Sequence, residues 1–369
     1  MPPISVLIKP ASGACNMSCA YCFYCDEAKK REKEFYGMMT QETLKNVIRK
    51  TMLYAEGQIS YVFQGGEPTL CGLDFYKNVV AYQKQYNKHG IKIHNAIQTN
   101  GYALDEAWCR FFAEQHFLVG VSVDGTEEIH NTYRRSKTGT PSFARIMQSI
   151  ALFEQYHVDY NILTVVTKLA AKNIADIYAF YKKNGWQFQQ YILCLEPFAE
   201  GYEKQEYALN PQEYGTFLTT LFELWYMDWK EGKQPYIRQF ENYIGILAGY
   251  QPESCDMRGK CTIQHVVEAD GSVYPCDFYV LDEYLLGNLN TQRMPEIVEV
   301  GKKSGFEERA LFVEESCKQC LYFKLCRGGC YRTRIEEGQS KSYYCEGYQM
   351  FFERSLEKMQ EIVEVIKKQ

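Results

Sequence analysis

Over roughly its first 240 residues the chain alternates short apolar runs with stretches of helical periodicity, and this alternation constrains its fold more than any other feature. Six runs read as strands, at residues 5–9, 59–64, 92–99, 118–123, 160–166 and 190–195. The intervening segments repeat apolar residues at helical spacing. One carries Phe143, Ile146, Ile150 and Phe153, with Thr140 expected as N-cap and Pro141 at the first helical position. Another opens at Asn210-Pro211 and runs to about Trp229. No hairpin signal joins consecutive runs, so the strands are predicted to be parallel. Six such units suit an open or partial (β/α) barrel, and a doubly wound sheet also satisfies the pattern.

The unusual residues fall where the runs end. A cysteine triad follows the first, Gly65-Gly66-Glu67-Pro68 the second and Thr99-Asn100-Gly101 the third. Ser122-Val123-Asp124-Gly125 closes the fourth, and Cys194-Leu195-Glu196-Pro197 the sixth. In a barrel this is the catalytic face.

After about residue 245 the pattern changes. Cysteines crowd in, and Ala269-Asp270-Gly271-Ser272 reads as a hairpin turn between 266–268 and 273–275. Residues 348–368 form an amphipathic pattern through Phe351, Leu356, Met359, Ile362, Val363 and Ile366, expected to pack as a helix on the domain. The chain therefore divides at about 240/241 into two expected domains, 1–240 and 241–369.

The 369 residues carry a net charge of −5 with no basic stripe, which argues against nucleic acid as a partner. The mixed-charge run at 29–33 reads as a solvated loop. No apolar stretch is long enough to span a bilayer, and residues 1–10 are too short for a signal peptide. A cytoplasmic protein is expected. There a count of fifteen cysteines points to metal or redox chemistry rather than disulfides.

Cys15, Cys19 and Cys22 stand at C-x3-C-x2-C spacing. Three thiolates can hold three irons of a 4Fe–4S cubane, and the fourth iron stays open to a small molecule. Cys25 lies close by, but a fourth ligand there would block the open iron. Eight more cysteines follow: Cys255, Cys261, Cys276, Cys317, Cys320, Cys326, Cys330 and Cys345. Eight thiolates match two four-cysteine sites, and from this half alone zinc and iron–sulfur both fit. A zinc site would not use the N-terminal triad. Cys109 is expected as a small core residue. The six histidines show no paired metal spacing, although His130 stands near Arg134.

Cys15-x3-Cys19-x2-Cys22, with Tyr21 before the last cysteine, resembles the signature of radical S-adenosylmethionine enzymes. Gly65-Gly66-Glu67-Pro68 resembles the motif with which they grip the methionine amino group. The C-terminal cysteines resemble the SPASM extension of that superfamily. Within it the chain is most similar to anaerobic sulfatase-maturating enzymes, through Leu7-Ile8-Lys9-Pro10, Cys22-Phe23-Tyr24, Phe63-Gln64, Gln98-Thr99-Asn100-Gly101 and Tyr274-Pro275-Cys276-Asp277.

The resemblance implies an α/β fold: a partial (β/α)6 TIM-like barrel followed by a cysteine-rich SPASM domain with two auxiliary clusters. It implies three 4Fe–4S clusters and S-adenosylmethionine. The triad would bind the first cluster. Cys255, Cys261, Cys276 and Cys330 would hold one auxiliary cluster, and Cys317, Cys320, Cys326 and Cys345 the other. Tyr21, Gly66, Ser122, Arg134 and Leu195 would contact S-adenosylmethionine, although a surface role for Arg134 beside Arg135 stays open from sequence. Asp277 would be the base, with Tyr24 and Gln64 positioning the peptide.

The implied reaction oxidises a sulfatase cysteine or serine, within Cys/Ser-x-Pro-x-Arg, to Cα-formylglycine. A 5′-deoxyadenosyl radical would abstract hydrogen from Cβ. A low-potential donor of flavodoxin or ferredoxin type would supply the electron. A competing reading is a radical maturase that forms thioether or carbon–carbon crosslinks, but many of those carry an N-terminal peptide-recognition domain, and fourteen residues before Cys15 leave no room for one. An iron–sulfur electron carrier or a zinc-bound interaction module is a further alternative. A carrier would need neither the open iron nor Gly65-Gly66-Glu67-Pro68.

Overall fold

The computed structural model describes residues 3–198, 200–334 and 341–368. Ten strands are formed among them. They are β1 (Ile4–Lys9), β2 (Gln58–Phe63), β3 (Lys92–Thr99), β4 (Phe117–Ser122), β5 (Tyr160–Val166), β6 (Phe188–Leu193), β7 (Tyr236–Ile237), β8 (Val266–Glu268), β9 (Ser272–Tyr274) and β10 (Gly287–Asn288). The chain divides into two compact units. The first comprises Met1–Ser122, Asn131–Tyr160 and Ile263–Phe306; the second comprises Val123–His130, Asn161–Thr262 and Glu307–Gln369.

In the first unit, β1 to β4 are parallel neighbours, with Ile4 opposite Ile59, Ile59 opposite Ile93 and Ala96 opposite Leu118. β8 joins the free side of β1 in parallel, and β9 and β10 follow antiparallel. The expected hairpin is therefore present, turning at Ala269–Gly271, and it adds to the edge of the parallel sheet. The helices explain the apolar periodicity. Helix Gln41–Tyr54 buries Leu44, Val47 and Ile48 and is capped by Thr40, whose side chain accepts from the Thr43 N–H. Helix Glu106–Glu114 is capped by Asp105 and buries Trp108, Phe111, Phe112 and the small Cys109. Phe63, Tyr76, Trp108, Phe112 and Phe117 pack edge-on or tilted, except that Phe63 stacks on Phe117, with ring centroids 5.2–6.3 Å apart. Burying each such side chain stabilises the unit by about 1.5–3 kcal/mol.

In the second unit, β5, β6 and β7 are parallel. Helix Pro211–Lys230 starts at a reciprocal cap: Asn210 accepts from the Glu213 N–H, and Glu213 accepts from the Asn210 N–H. It crosses the terminal helix Cys345–Lys368 at two glycines. A Cβ on Gly215 would lie 2.3 Å from Met350 Cε, and one on Gly347 would lie 2.3 Å from the Pro211 carbonyl oxygen. The crossing brings Phe222 within 5.9 Å of Phe351.

All six strands expected of the partial barrel are formed, β1 to β4 in the first unit and β5 and β6 in the second. Three local expectations need correction. The helix expected from Thr140 and Pro141 spans Phe143–Tyr156, with Ser142 as N-cap. The Ser136 and Thr140 backbones pair instead in a turn, and Asn131 Oδ1 accepts from the Ser142 and Phe143 N–H groups, which moves the start two residues on. The sixth strand begins and ends two residues earlier than expected. The 29–33 run is not all solvated: Lys29 closes helix Phe23–Lys29, and Arg31 is 6% exposed, paired with Glu268.

Candidate active site

The triad lies in the loop after β1. Cys15 interacts electrostatically with Cys19 and Cys22, so the three thiols share one locality. Cys22 N–H donates to the Cys19 carbonyl at 3.2 Å, and Cys22 is the N-cap of helix Phe23–Lys29. Cys25 lies within hydrogen-bonding reach of the Cys22 thiol.

Gly65-Gly66-Glu67-Pro68 follows β2 and presses against this loop. Gly65 and Gly66 have φ of +82° and +54°, and a Cβ on Gly66 would lie 2.2 Å from the Ala14 carbonyl oxygen. Glu67 N–H donates to that same oxygen at 2.7 Å. The Glu67 side chain is buried and fully engaged. Oε1 accepts from Thr69 N–H, Thr69 Oγ1 and Thr99 Oγ1, and Oε2 accepts from Asn100 N–H at 2.8 Å. Asn100 Nδ2 in turn donates to Asn16 Oδ1 at 2.7 Å and approaches Cys15 Sγ at 3.6 Å. The carboxylate thus ties the segments after β2 and β3, and the Glu67 backbone and Asn100 side chain join them to the loop after β1.

Arg134 is 6% exposed, not a surface residue, and donates to the Tyr21 hydroxyl at 2.9 Å. Gly66, Tyr21, Arg134 and Ser122, the last residue of β4, all belong to the first unit. Leu195 follows β6 in the second unit and is half-buried. His130 is fully buried, with Nδ1 accepting from the Asp124 N–H at 3.2 Å.

Asp277 follows β9 and is brought to residues from the first two strand–helix units. Tyr24 Oη and Gln64 Nε2 both donate to its Oδ2 at 2.6 Å, and Gln64 Nε2 also reaches Tyr24 Oη at 2.9 Å. Oδ1 is buried and has no hydrogen-bond partner among the described residues. Burial raises the Asp277 pKa above the usual carboxylate value, against the opposing effects of Lys9, Tyr24 and Gln64. Lys9 Nζ stands 4.4 Å from the Tyr24 ring centroid and lies 3.9 Å from Glu27 and 3.6 Å from Glu268. An Oδ2 fixed by two donors and a bare Oδ1 can take a proton from a thiol or hydroxyl brought against it.

The second unit gathers cysteines in two places. Cys317, Cys320, Cys326 and Cys345 line one cavity of about 80 Å³. Cys255, Cys261 and Cys330 line another of about 20 Å³, together with Arg334. Cys276 belongs to the first unit and follows β9. Among the described residues no group of His, Cys, Asp or Glu converges at the spacing of a single metal ion. Cubane irons occupy separate corners and hold their thiolates farther apart than one ion does. An all-cysteine donor set around a cavity fits such a cluster.

Comparison with known proteins agrees with this layout. Residues 10–181 match the model of the radical SAM superfamily, and residues 255–321 match that of an iron–sulfur cluster-binding domain. A cysteine-type anaerobic sulfatase-maturating enzyme from Clostridium perfringens is 43% identical over 100% of both chains. The chain belongs to the anaerobic sulfatase-maturating enzymes. A serine-type sulfatase-maturating enzyme from Bacteroides thetaiotaomicron is more distant, 33% identical over 95% of this chain and 89% of its own. A solved structure described as native anSMEcpe with bound AdoMet and Cp18Cys peptide superposes with a TM-score of 0.94 at 41% identity, covering 99% of this chain and 100% of that one.

Sequence reading gave this maturase no role for Lys9, which stands over the Tyr24 ring, or for Arg334, which lines a cavity with Cys255, Cys261 and Cys330. Lys9 lies within a quoted motif, but its burial depends on Glu27 and Glu268, which no local pattern announces.

Proposed function

We propose that this maturase acts on a sulfatase cysteine in a Cys-x-Pro-x-Arg segment, with Asp277 as the base. The observation that carries the assignment is the bare, buried Oδ1 of Asp277, whose other oxygen is held by Tyr24 and Gln64. The cysteine-type enzyme from Clostridium perfringens is nearer in sequence than the serine-type one from Bacteroides thetaiotaomicron, which favours a cysteine target. Anaerobic sulfatase-maturating enzymes oxidise such a residue to Cα-formylglycine. When bound, the clusters and S-adenosylmethionine supply a 5′-deoxyadenosyl radical that takes hydrogen from Cβ, and a sink for the second electron.

The chain's own groups do the remaining work. Asp277 Oδ1 accepts the thiol proton, so the sulfur can form its double bond to Cβ as hydrogen and electron leave. Water then converts the thioaldehyde to the aldehyde with loss of sulfide. Tyr24 and Gln64 hold the carboxylate and meet the peptide. Gly66 offers its backbone to the methionine amino group, and Arg134 suits its carboxylate because a guanidinium bonds such a group in a fork. Tyr21, Ser122 and Leu195 complete that contact set.

Cys15, Cys19 and Cys22 would hold the first cluster. Cys255, Cys261, Cys276 and Cys330 would hold one auxiliary cluster, and Cys317, Cys320, Cys326 and Cys345 the other. The working domains would divide at 240/241. A flavodoxin- or ferredoxin-type donor in the cytoplasm would supply the electron. Among the described residues no helix is long and apolar enough to cross a membrane.

The test is anaerobic turnover of paired peptides carrying Cys-x-Pro-x-Arg or Ser-x-Pro-x-Arg, following peptide mass and 5′-deoxyadenosine. The aldehyde should form faster from the cysteine peptide. Asp277→Asn should keep the clusters and lose the aldehyde; unchanged aldehyde formation would remove Asp277 as the base. Deoxyadenosine with a crosslinked product would favour the competing maturase.

A further inference from the structure

Arg334 is held by four backbone carbonyls, with no carboxylate in its hydrogen-bond set among the described residues. Nη1 donates to the Ala310 and Phe312 carbonyls at 2.8 Å each, Nε to Gly328 at 3.2 Å, and Nη2 to Gly329 at 3.4 Å. These carbonyls lie on two segments. One is the end of helix Phe306–Leu311 with the residues that follow it toward Cys317, and the other is the loop between Cys326 and Cys330. Gly328, with φ of +86°, leaves the space: a Cβ there would sit 3.1 Å from Arg334 Nη2. The guanidinium lines the cavity of Cys255, Cys261 and Cys330. Its charge acts on Cys261 and Cys330 and, after that of Lys341, on Cys317, the one thiol of the other cavity that it reaches.

We infer that Arg334 is a positioning residue shared by both auxiliary sites: it clamps the loops that carry their ligands and places one fixed cation against both sets of thiolates. This inference rests on the reading that the eight C-terminal cysteines hold two 4Fe–4S clusters. Reducing a cluster by one electron adds one negative charge, and nearby charge and hydrogen bonding set its potential. A cation beside both sets stabilises both reduced forms and raises both potentials together. Arginine suits the place because its fork of five donors reaches several carbonyls while remaining charged.

The experiment is an EPR-monitored redox titration of the full chain. Cys15→Ala, Cys19→Ala and Cys22→Ala are present in every sample so that only the auxiliary clusters titrate. Arg334→Gln, which removes the charge, should lower both midpoints enough to cut the reduced-to-oxidised ratio about tenfold at fixed potential, about 59 mV for one electron. Arg334→Lys, which keeps the charge, should hold both midpoints near those of the parent. Iron-replete Arg334→Gln with unmoved midpoints, or with only one moved, overturns the shared role. If Arg334→Gln fails to load iron, Arg334→Lys decides: restored iron with parental potentials supports the inference. Shifted potentials, or loss of iron in Arg334→Lys as well, overturn the charge assignment. The underlying reading fails separately, since the triad-intact parent would then carry far fewer than the roughly twelve irons of three cubanes.

Discussion

Tyr24 Oη donates to Asp277 Oδ2 at 2.6 Å across 253 residues of chain. The contact joins the first turn of helix Phe23–Lys29, just past Cys22, to the residue after Cys276. It leaves Oδ1 as the free face of a buried carboxylate. A hydrogen bond to a charged group contributes about 1.5–3 kcal/mol. Tyr24→Phe should therefore lower aldehyde formation about ten- to hundredfold, at about 1.36 kcal/mol per tenfold. 5′-Deoxyadenosine should still be released, so the ratio of deoxyadenosine to aldehyde should rise. A parallel fall in both products would mean that Tyr24 serves S-adenosylmethionine instead.

Glu67 ties the turn after β2 to the end of β3 through four accepted hydrogen bonds. Glu67→Gln keeps the shape but turns an NH2 group toward donors. Leaving buried donors unpaired costs about 1–3 kcal/mol. We expect a lower melting temperature and weaker S-adenosylmethionine binding by calorimetry, because the Gly65-Gly66 turn loses its anchor. Binding equal to that of the parent would separate the turn from the carboxylate that holds it.

The Gly215–Gly347 crossing allows a sharper mutation. Either glycine changed to alanine places a methyl group 2.3 Å from a neighbouring atom. Overpacking of this kind costs about 1–3 kcal/mol. Gly347 is two residues from Cys345, so Gly347→Ala should also lower bound iron by up to one cluster. Gly215→Ala should cost stability first. Denaturation and iron assay on the same samples distinguish the two.

The buried charges beside Asp277 carry a pH dependence. Burial alone would raise the Glu268 pKa, but Lys9 and Arg31 more than offset it and hold the carboxylate below its ordinary value of 4.5. A depressed folded pKa stabilises the native state above the unfolded value and loses that stabilisation as pH falls through the folded one. The Glu268 contribution should thus be complete above about pH 4.5 and erode below it. Glu268→Gln should flatten the acid limb of urea stability below about pH 4.5, while lowering stability at pH 7. Superimposable acid limbs would show that other carboxylates dominate.

Much of the fold was legible because its elements are local. The 3.6-residue and 2-residue periods are written within about ten residues of chain, and all six expected barrel strands formed within two residues of their expected ends. The start of helix Phe143–Tyr156 was misread because its cap comes from Asn131, eleven residues before Ser142, and not from the adjacent Thr140. The 29–33 run was misread for the same reason: composition favours water for Arg31, whereas Glu268, 237 residues away, draws it inside.

The sequence by itself determined the cysteine spacings, the glycine turn, the order of strands and helices, and the family. These depend on short motifs and local periodicity. Only the tertiary structure decided what surrounds each motif. It seated Tyr24 and Gln64 on one oxygen of Asp277. It gathered Cys317, Cys320 and Cys326 with Cys345 around one cavity, and it lined the other with Cys255, Cys261 and Cys330. It also placed the Arg334 side chain at the second of these cavities. Burial and electrostatic neighbourhood are properties of chain segments that meet after long excursions, so no local pattern can encode them.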